Sequence, residues 1–548
     1  MKRFPDPAGQ PWWKSAVIYQ VYPLSFSDSN GDGIGDIPGI LSRLDYLADL
    51  GIDAIWLSPV YCSPMADNGY DISDYRAIDP VFGTMKDMED LIREAGKRNI
   101  RILMDLVLNH SSDEHIWFRE AKKSRLNPYH DYYIWRDEGD QAITEEKVDF
   151  ADSSWEWVPE VRQYYYHQFS AKQPDLNWEN PALRAELYDM IRWWKEKGIG
   201  GFRLDVVDHL GKDPDRHIRV NGPRLHEFVR EMSRECFQDG DLLTVGEAWS
   251  ATTEIAKRYS APDGSELSMV FQFEHIKLDQ KEGKEKWDLA PLPFLKLKQV
   301  LAAWQKDLFN CGWNSQFWEN HDLPRIVSRW GDDGKYRAET AKMLAVLLLS
   351  LQGTPFIYQG QEIGMTNAGL ALEEHIDIET RQVIRRRREL GFSEEEILRS
   401  VRAKSRDNAR TPMQWNAGKN AGFTAGKPWM PVNPNYREVN VENQIRDETS
   451  VYSCYKNLIR IRKQHPVFVD GVFHLLLEAH EEIFAFIRSN QEETLLILAN
   501  FYGRTIPNPL QDYFQKGEIL FSTYPDIPHS NCLRPYETAI CKIEPIPS

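Results

Sequence analysis

Short apolar runs recur along most of the chain, each followed by a stretch of helical spacing. The runs are Ala16–Phe26, Ile52–Pro59, Ile100–Leu108, Gly201–Val207, Leu242–Glu247, Ser268–Phe273, Asn314–Glu319 and Thr354–Gln359. They are rich in β-branched and aromatic residues and show little strict alternation, as strands buried on both faces do. Between them, Ile40, Leu44 and Leu47 repeat at helical spacing, as do Met88, Leu91, Ile92 and Ala95. Pro181 is placed to open a helix that ends near Gly198 and carries Trp193 and Trp194. Strands alternating with helices predict a (β/α)8 barrel.

Two stretches interrupt that alternation. Residues 110–177 are rich in Tyr, Trp, Asp and Ser without a helical period, and read as a small domain inserted after the third strand. Residues 360–434 form a second insertion after the eighth strand. Its basic run Arg385–Arg388 reads as a solvated helix face. Strict alternation then appears at Ile483–Ile487, Thr494–Phe501 and Ala539–Ile543, and predicts a C-terminal antiparallel β-sandwich domain over 469–548. The barrel itself is expected from 1–109 and 178–468.

A net charge of −17 argues against nucleic acid or an anionic membrane as the main partner and suits a neutral small molecule. The six cysteines form no CxxC or zinc spacing, so reduced thiols are expected rather than a disulfide scaffold. The opening MKRFPDPAGQPWWK has no apolar core of a signal peptide, and no apolar run approaches the ~20 residues of a membrane span. A cytoplasmic, monomeric protein is expected.

In a barrel, chemistry gathers where strands end at the C-terminal face. Asp105, Asn109 and His110 follow the third run. Arg203 and Asp205 lie on the fourth, Glu247 ends the fifth, and His321 and Asp322 follow the seventh. A carboxylate within an apolar strand is costly unless satisfied, so several acids meeting at one mouth point to function. Any one of them alone, Asp105 for example, suits a structural acceptor for loop amides equally well. Two close carboxylates suit glycoside hydrolysis, one attacking the anomeric carbon and the other protonating the leaving oxygen. Arg203, two residues before Asp205, shares its face and favours the ionised acid.

GFRLD at 201–205, DLVLNH at 105–110, VGEAW at 245–249 and ENHD at 319–322 resemble the signature regions of the α-amylase family of glycoside hydrolases, in family order. QPDLN at 173–177 resembles a fifth region near the end of the inserted domain. DNGYDISDYR at 67–76, GTPFIYQG at 353–360 and ARTPMQW at 409–415 resemble the oligo-1,6-glucosidase and glucan 1,6-α-glucosidase branch. The resemblance implies Asp205 as nucleophile, Glu247 as general acid/base and Asp322 as transition-state stabiliser. It implies a glucose pocket lined by Asp67, Tyr70, His110, Arg203, His321 and Arg406, with Asp67 and Arg406 closing its far end. Lys286 and Glu379 match polar positions of the next sugar subsite. Val206 matches the residue that accompanies α-1,6 activity in this family. Such a single contact discriminates by ~1–3 kcal/mol. An equally plain role for Val206 is to fill a buried strand.

These features predict a retaining exo-α-glucosidase acting on isomaltose, isomalto-oligosaccharides and dextran-derived glucans. Alternatives are maltose or sucrose cleavage, trehalose-6-phosphate hydrolysis, a non-catalytic carbohydrate-binding barrel, and a divalent-metal hydrolase using His110 and His321. Ala248, Trp249 and Ser250 depart from the Met-Pro that follows the acid in several oligo-1,6-glucosidases, and Gln361 stands where many relatives carry an acid. In DSNGDGIGD, Asp28, Asn30 and Asp32 alternate before a glycine. With Asp36 and the Ile34 carbonyl they predict a structural Ca²⁺ site away from the chemistry, in competition with Mg²⁺ or a plain Asp/Gly turn. An EF-hand is disfavoured because the twelfth position is Gly39. The hydrolysis itself needs no cofactor.

Overall fold

The computed structural model describes residues 10–144, 148, 150–151, 153–238, 241–524 and 531–544. The first nine residues, on which part of the no-leader expectation rests, lie outside the described residues. Eight parallel strands form one sheet: β1 Ile18–Val21, β2 Ala54–Leu57, β3 Arg101–Leu106, β4 Gly201–Leu204, β5 Leu243–Ala248, β6 Met269–Gln272, β7 Ser315–Gln316 and β8 Thr354–Tyr358. Each pairs with its neighbour in chain order, and β8 pairs back onto β1. A parallel bridge from Val270 to Asn314 joins β6 to β7 and closes the (β/α)8 barrel. Apart from Arg101, every residue of these strands is buried. This is why the runs lack alternation: helices cover one face and the barrel interior fills the other.

The ladders are shorter than the apolar runs for identifiable reasons. Pro23 has no N–H to donate and opens a 3₁₀ turn, so the first strand stops at Val21. Beyond Gln316, Glu319 takes the Arg325 guanidinium at 3.0 Å and the Ile326 N–H at 2.5 Å, which turns the chain out of the sheet. The helix Met85–Lys97 starts at a capping box of Thr84 and Asp87 and buries Met88, Leu91, Ile92 and Ala95. The helix Pro181–Glu196 starts with Asn180 accepting from the Ala182 N–H at 2.9 Å. Ile40 and Leu44 lie on separate short helices, Ile37–Ser42 and Leu44–Leu50, divided at Arg43.

Within 110–177, the strands Trp135–Asp137, Gln163–Tyr166 and Trp155–Val158 make a small antiparallel sheet with Gln163–Tyr166 in the centre. The segment is tied back to the barrel where the Leu176 N–H meets the Asn109 carbonyl at 2.9 Å. After β8, the helices Ile378–Glu389 and Glu394–Lys404 pack against each other. One of the four arginines expected on a solvated face turns inward: Arg387 is 6% exposed and pairs with Asp288 at 2.9 Å.

The C-terminal strands β9 Val472–Leu476, β10 Ile483–Ser489, β11 Thr494–Asn500, β12 Glu518–Ser522 and β13 Thr538–Ile543 form an antiparallel sheet in the order β9-β10-β11-β13-β12. A ribbon of Ile506–Pro507 and Cys532–Leu533 lies beside it. The alternation has a direct physical reading. Phe484, Phe486, Leu495, Ile497 and Ile540 face the main core, while Ile483, Ala485, Ile487, Leu496 and Leu498 pack with Phe514 and Leu533 on the other side. Among the described residues no helix is long and apolar enough to cross a membrane.

One buried arginine, on β10, fastens this sheet to the barrel, and a second, on the helix Val451–Gln464, fastens that helix to the chain entering β8. Arg462 donates to the carbonyls of Leu349, Leu351 and Gly353 at 2.6, 3.0 and 2.6 Å. Arg488 donates to Ser350 and Gly471 at 3.2 and 2.7 Å. Arg462→Leu orphans three carbonyls and is expected to cost about 3 kcal/mol. Thermal melting should show a clear fall in midpoint, and an unchanged midpoint would refute the fastening role.

Candidate active site

β3 and β4 are in parallel register with Asp105 opposite Arg203, which brings acid and guanidinium together at the C-terminal end of the barrel. Arg203 is 1% exposed, and its guanidinium is shared by three carboxylates. Nη1 donates to Asp105 at 2.8 Å and to Asp205 at 2.7 Å, and Nη2 lies 2.7 Å from Glu247. Three acids facing one cation cannot all ionise cheaply in a buried site. Burial pushes Asp105 up to about 6 against the pull of Arg203. Burial, with Glu247 and Asp105 nearby, pushes Asp205 well above the ordinary carboxylate range. Burial thus prevails over the one guanidinium at both aspartates.

Glu247 is gripped from both sides. Its Oε2 accepts from the Val206 N–H at 3.1 Å and its Oε1 from the Trp249 indole at 3.0 Å. Val206 makes that bond from the left-handed region, at φ +36° and ψ +50°. For a β-branched residue this backbone is strained, at a cost of about 1–3 kcal/mol.

The Tyr70 and His321 rings stack with centroids 5.3 Å apart. Gln20 Nε2 donates to His321 Nδ1 at 2.8 Å, which leaves the imidazole proton on Nε2. That nitrogen lies 2.7 Å from the Tyr70 hydroxyl and 3.1 Å from Asp322. Tyr70 in turn donates to Asp105 at 3.0 Å. Burial holds His321 down to about 3 and His110 to about 4, so both are neutral at pH 7. His110 is held between the Tyr70 carbonyl at 3.2 Å and Gln173 at 3.1 Å.

The far wall is ionic. Arg406 reaches Asp67 at 3.0 Å and Asp322 at 3.2 Å. Arg410 reaches Asp322 at 2.9 Å. Burial opposes ionisation of Asp322, but His321 and the two guanidinia hold it well below the ordinary range. Asp67 is pushed up to about 6 by burial despite Arg406. Two residues here were not anticipated. Arg410, one helical turn after Arg406, was visible in that spacing. Asp377 was not. It takes Arg406 Nε at 2.9 Å and Arg410 Nη1 at 3.3 Å, and its other oxygen caps the helix bearing Glu379 through the Thr380 N–H at 2.9 Å.

These groups surround a cavity of about 370 Å³, with Asp67, Tyr70, His110, Asp205, Val206, Glu247, Asp322 and Arg406 on its inner wall. Arg203 and His321, expected on that wall, are buried behind it, against Asp205 and Tyr70. Lys286 and Glu379 do meet on the outer part, at 2.5 Å. The other outer cations are also engaged. Arg329 and Lys404 converge on Asp279 at 2.7 and 2.5 Å, and Lys277 donates to the Trp249 carbonyl at 2.7 Å.

In the Asp28–Asp36 loop, the Asp28 carboxylate accepts the Asn30, Gly31 and Gly33 N–H groups at 2.9, 2.7 and 2.8 Å. Asn30 and Asp32 each accept the N–H two residues on, at 2.8 Å. Asp36 caps the helix Ile37–Ser42 through Gly39 at 2.6 Å. Among the described residues no three His, Cys, Asp or Glu side chains converge as a metal cluster.

A family model described as Alpha amylase, catalytic domain, matches residues 20–471. The glucan 1,6-alpha-glucosidase of Streptococcus pneumoniae is 54% identical over 511 residues, covering 93% of this chain and 94% of that protein. The oligo-1,6-glucosidase of Halalkalibacterium halodurans is 50% identical over 552 residues, covering 96% and 98%. The crystal structure of Bacillus licheniformis trehalose-6-phosphate hydrolase is similar at a TM-score of 0.92 and 46% identity, covering 97% of this chain and 100% of that one.

Asp377 supplies a pH-dependent test of the ionic wall. The two arginines hold its carboxyl below the ordinary range against the cost of burial. Its stabilising contribution is therefore full above the unfolded value of about 4 and fades as pH falls below it. Asp377→Asn should cost about 3 kcal/mol at pH 7. Melting curves should show the gap to wild type narrowing below pH 4, and a gap that widens on acidification would refute the assignment.

Proposed function

Because the chain belongs to the α-amylase family of glycoside hydrolases, we propose that it is a retaining, exo-acting α-glucosidase cleaving α-1,6 bonds of isomaltose, isomalto-oligosaccharides and dextran-derived glucans. The observation that carries this reading is the placing of Asp205 and Glu247 on neighbouring nitrogens of Arg203, each at 2.7 Å, at the floor of a glucose-sized cavity. Oxygens bridged by one guanidinium suit the ~5–5.5 Å separation of retaining enzymes better than the ~6.5–9.5 Å of inverting ones.

Asp205, as the carboxylate, attacks the anomeric carbon while Glu247, in its acid form, protonates the leaving oxygen. The products of this half-reaction are the glucosyl ester on Asp205 and the free aglycone. Glu247, now a carboxylate, takes a proton from the water that cleaves the ester. Asp322, held ionised by Arg406 and Arg410, stabilises the positive charge that grows on the sugar ring. Tyr70 and His110 line the ring's position, and the Arg406 bridges to Asp67 and Asp322 close the cavity behind it, which favours removal of one glucose at a time. Val206, on the wall beside the nucleophile, narrows the room for an α-1,4-linked partner. Lys286 and Glu379 offer donor and acceptor to the next sugar. Pre-paired outer cations favour a neutral aglycone over a phosphorylated one. The free thiols of Cys62, Cys236, Cys311, Cys454 and Cys541 support a reducing, cytoplasmic setting.

Initial rates on isomaltose, isomaltotriose, dextran, maltose, sucrose and trehalose 6-phosphate test the substrate. Isomaltose should lead, and faster turnover of maltose or trehalose 6-phosphate would overturn the linkage assignment. Asp205→Asn and Glu247→Gln should each lower isomaltose turnover on the order of 10³-fold or more with the fold intact. The first sugar released should be α-glucose by NMR, and β-glucose would exclude double displacement.

We further propose that the Asp28–Asp36 loop holds a structural Ca²⁺. The supporting feature is the donor set within residues 28–36: the carboxylates of Asp28, Asp32 and Asp36, the Asn30 amide oxygen and the Ile34 carbonyl are all hard oxygens. Chelation should lower the melting temperature by several degrees without an immediate loss of rate, and calcium should restore it. Equal melting with EDTA and with calcium would remove the site.

A further inference from the structure

The β4–β5 ladder ends at the pair Leu204 and Gly246. Asp205 and Glu247 lie one residue beyond it, where no further ladder bond sets their separation. Two cross-links replace the ladder. The first is the Val206 N–H to Glu247 bond at 3.1 Å. The second joins residues three positions after each acid. The Asp208 Oδ2 accepts both the Ser250 N–H at 3.1 Å and the Ser250 hydroxyl. Asp208 is 0% exposed, and among the described residues its Oδ1 has no hydrogen-bond partner. Asn221 locks both ends, its N–H on the Asp208 carbonyl at 2.9 Å and its amide on Ser250 Oγ at 2.9 Å. The packing beneath is tight: a Cβ at Gly246 would lie 2.7 Å from Val207 Cγ1. Burial lifts Asp208 to about 6 against the Ser250 bonds, so it is mainly ionised at pH 7.

We propose that Asp208 and Ser250 are a positioning pair that fixes the distance and angle between the nucleophile and the acid/base. An isolated buried carboxylate is costly, and this one takes the N–H and hydroxyl of Ser250, on the loop that carries Glu247. The clasp therefore resists separation of the two loops when substrate enters. It also gives a role to Ser250, part of the segment that departs from the Met-Pro of several relatives.

This inference rests on the assignment of Glu247 as the proton donor, and the test separates the two. Isomaltose releases a poor leaving group that needs the proton, whereas nitrophenolate leaves largely without it. Ser250→Ala and Asp208→Asn are each expected to lower kcat on isomaltose about tenfold, with KM within about twofold and the rate on p-nitrophenyl α-glucoside within about twofold. Ser250→Thr, which keeps the hydroxyl, should restore the isomaltose rate. The double variant should be no slower than either single one, as coupled partners require. Wild-type isomaltose rates in both single variants, or equal losses on the two substrates, would overturn the proposal. Failure of the wild type to cleave isomaltose would instead overturn the linkage reading, and the clasp would then be read on whichever glucose disaccharide it cleaves.

Discussion

The site depends on one fully buried guanidinium. Arg203 faces Asp105, Asp205 and Glu247, drawn from three adjacent barrel strands. Removing any such charge from water is expensive, and only close pairing repays it. The carboxylates outnumber the one cation, so burial raises Asp105 and Asp205 against its pull. The same group that makes burial tolerable thus also sets the protonation balance.

A second ionic assembly holds the opposite wall. Arg406 and Arg410 face Asp67, Asp322 and Asp377, so acids again outnumber bases, yet the outcome differs from the Arg203 cluster. Here two guanidinia contact Asp322 and Asp377, and both carboxyls fall below their ordinary range. Burial prevails at Asp105 and Asp205, and the guanidinia prevail at Asp322 and Asp377. A cavity between the two walls meets Asp205 and Glu247, the proposed nucleophile and proton donor, on one side and the lowered carboxyl of Asp322 on the other. This asymmetry is set by the number of cations per carboxylate and not by depth, because both clusters are buried.

Much of this was legible along the chain. A polar residue ending a buried apolar run stands out, which is how Asp105, Asp205, Glu247 and Asp322 were found. Alternation over 483–501 and 539–543 disclosed the C-terminal sheet because one side chain in two faces each way. Asp377, Arg410, Asp208 and Ser250 were harder. Each lies in a turn or loop, carries no periodic signal, and acquires its role from a partner on another element. Arg387 misled the reading of 385–388 for a related reason: one residue in a helical turn faces inward whatever the average polarity of its neighbours.

The order of residues alone determined the barrel, its two insertions, the terminal sheet and the strand ends that carry the acids, because burial imposes period and polarity on every element it touches. Only the tertiary structure decided how many carboxylates share each guanidinium, that Val206 adopts a left-handed backbone, and that Arg203 and His321 lie behind the cavity wall. Charge balance and hydrogen bonding across loops are sums over neighbours distant in the chain, and they have no local pattern until the chain has folded.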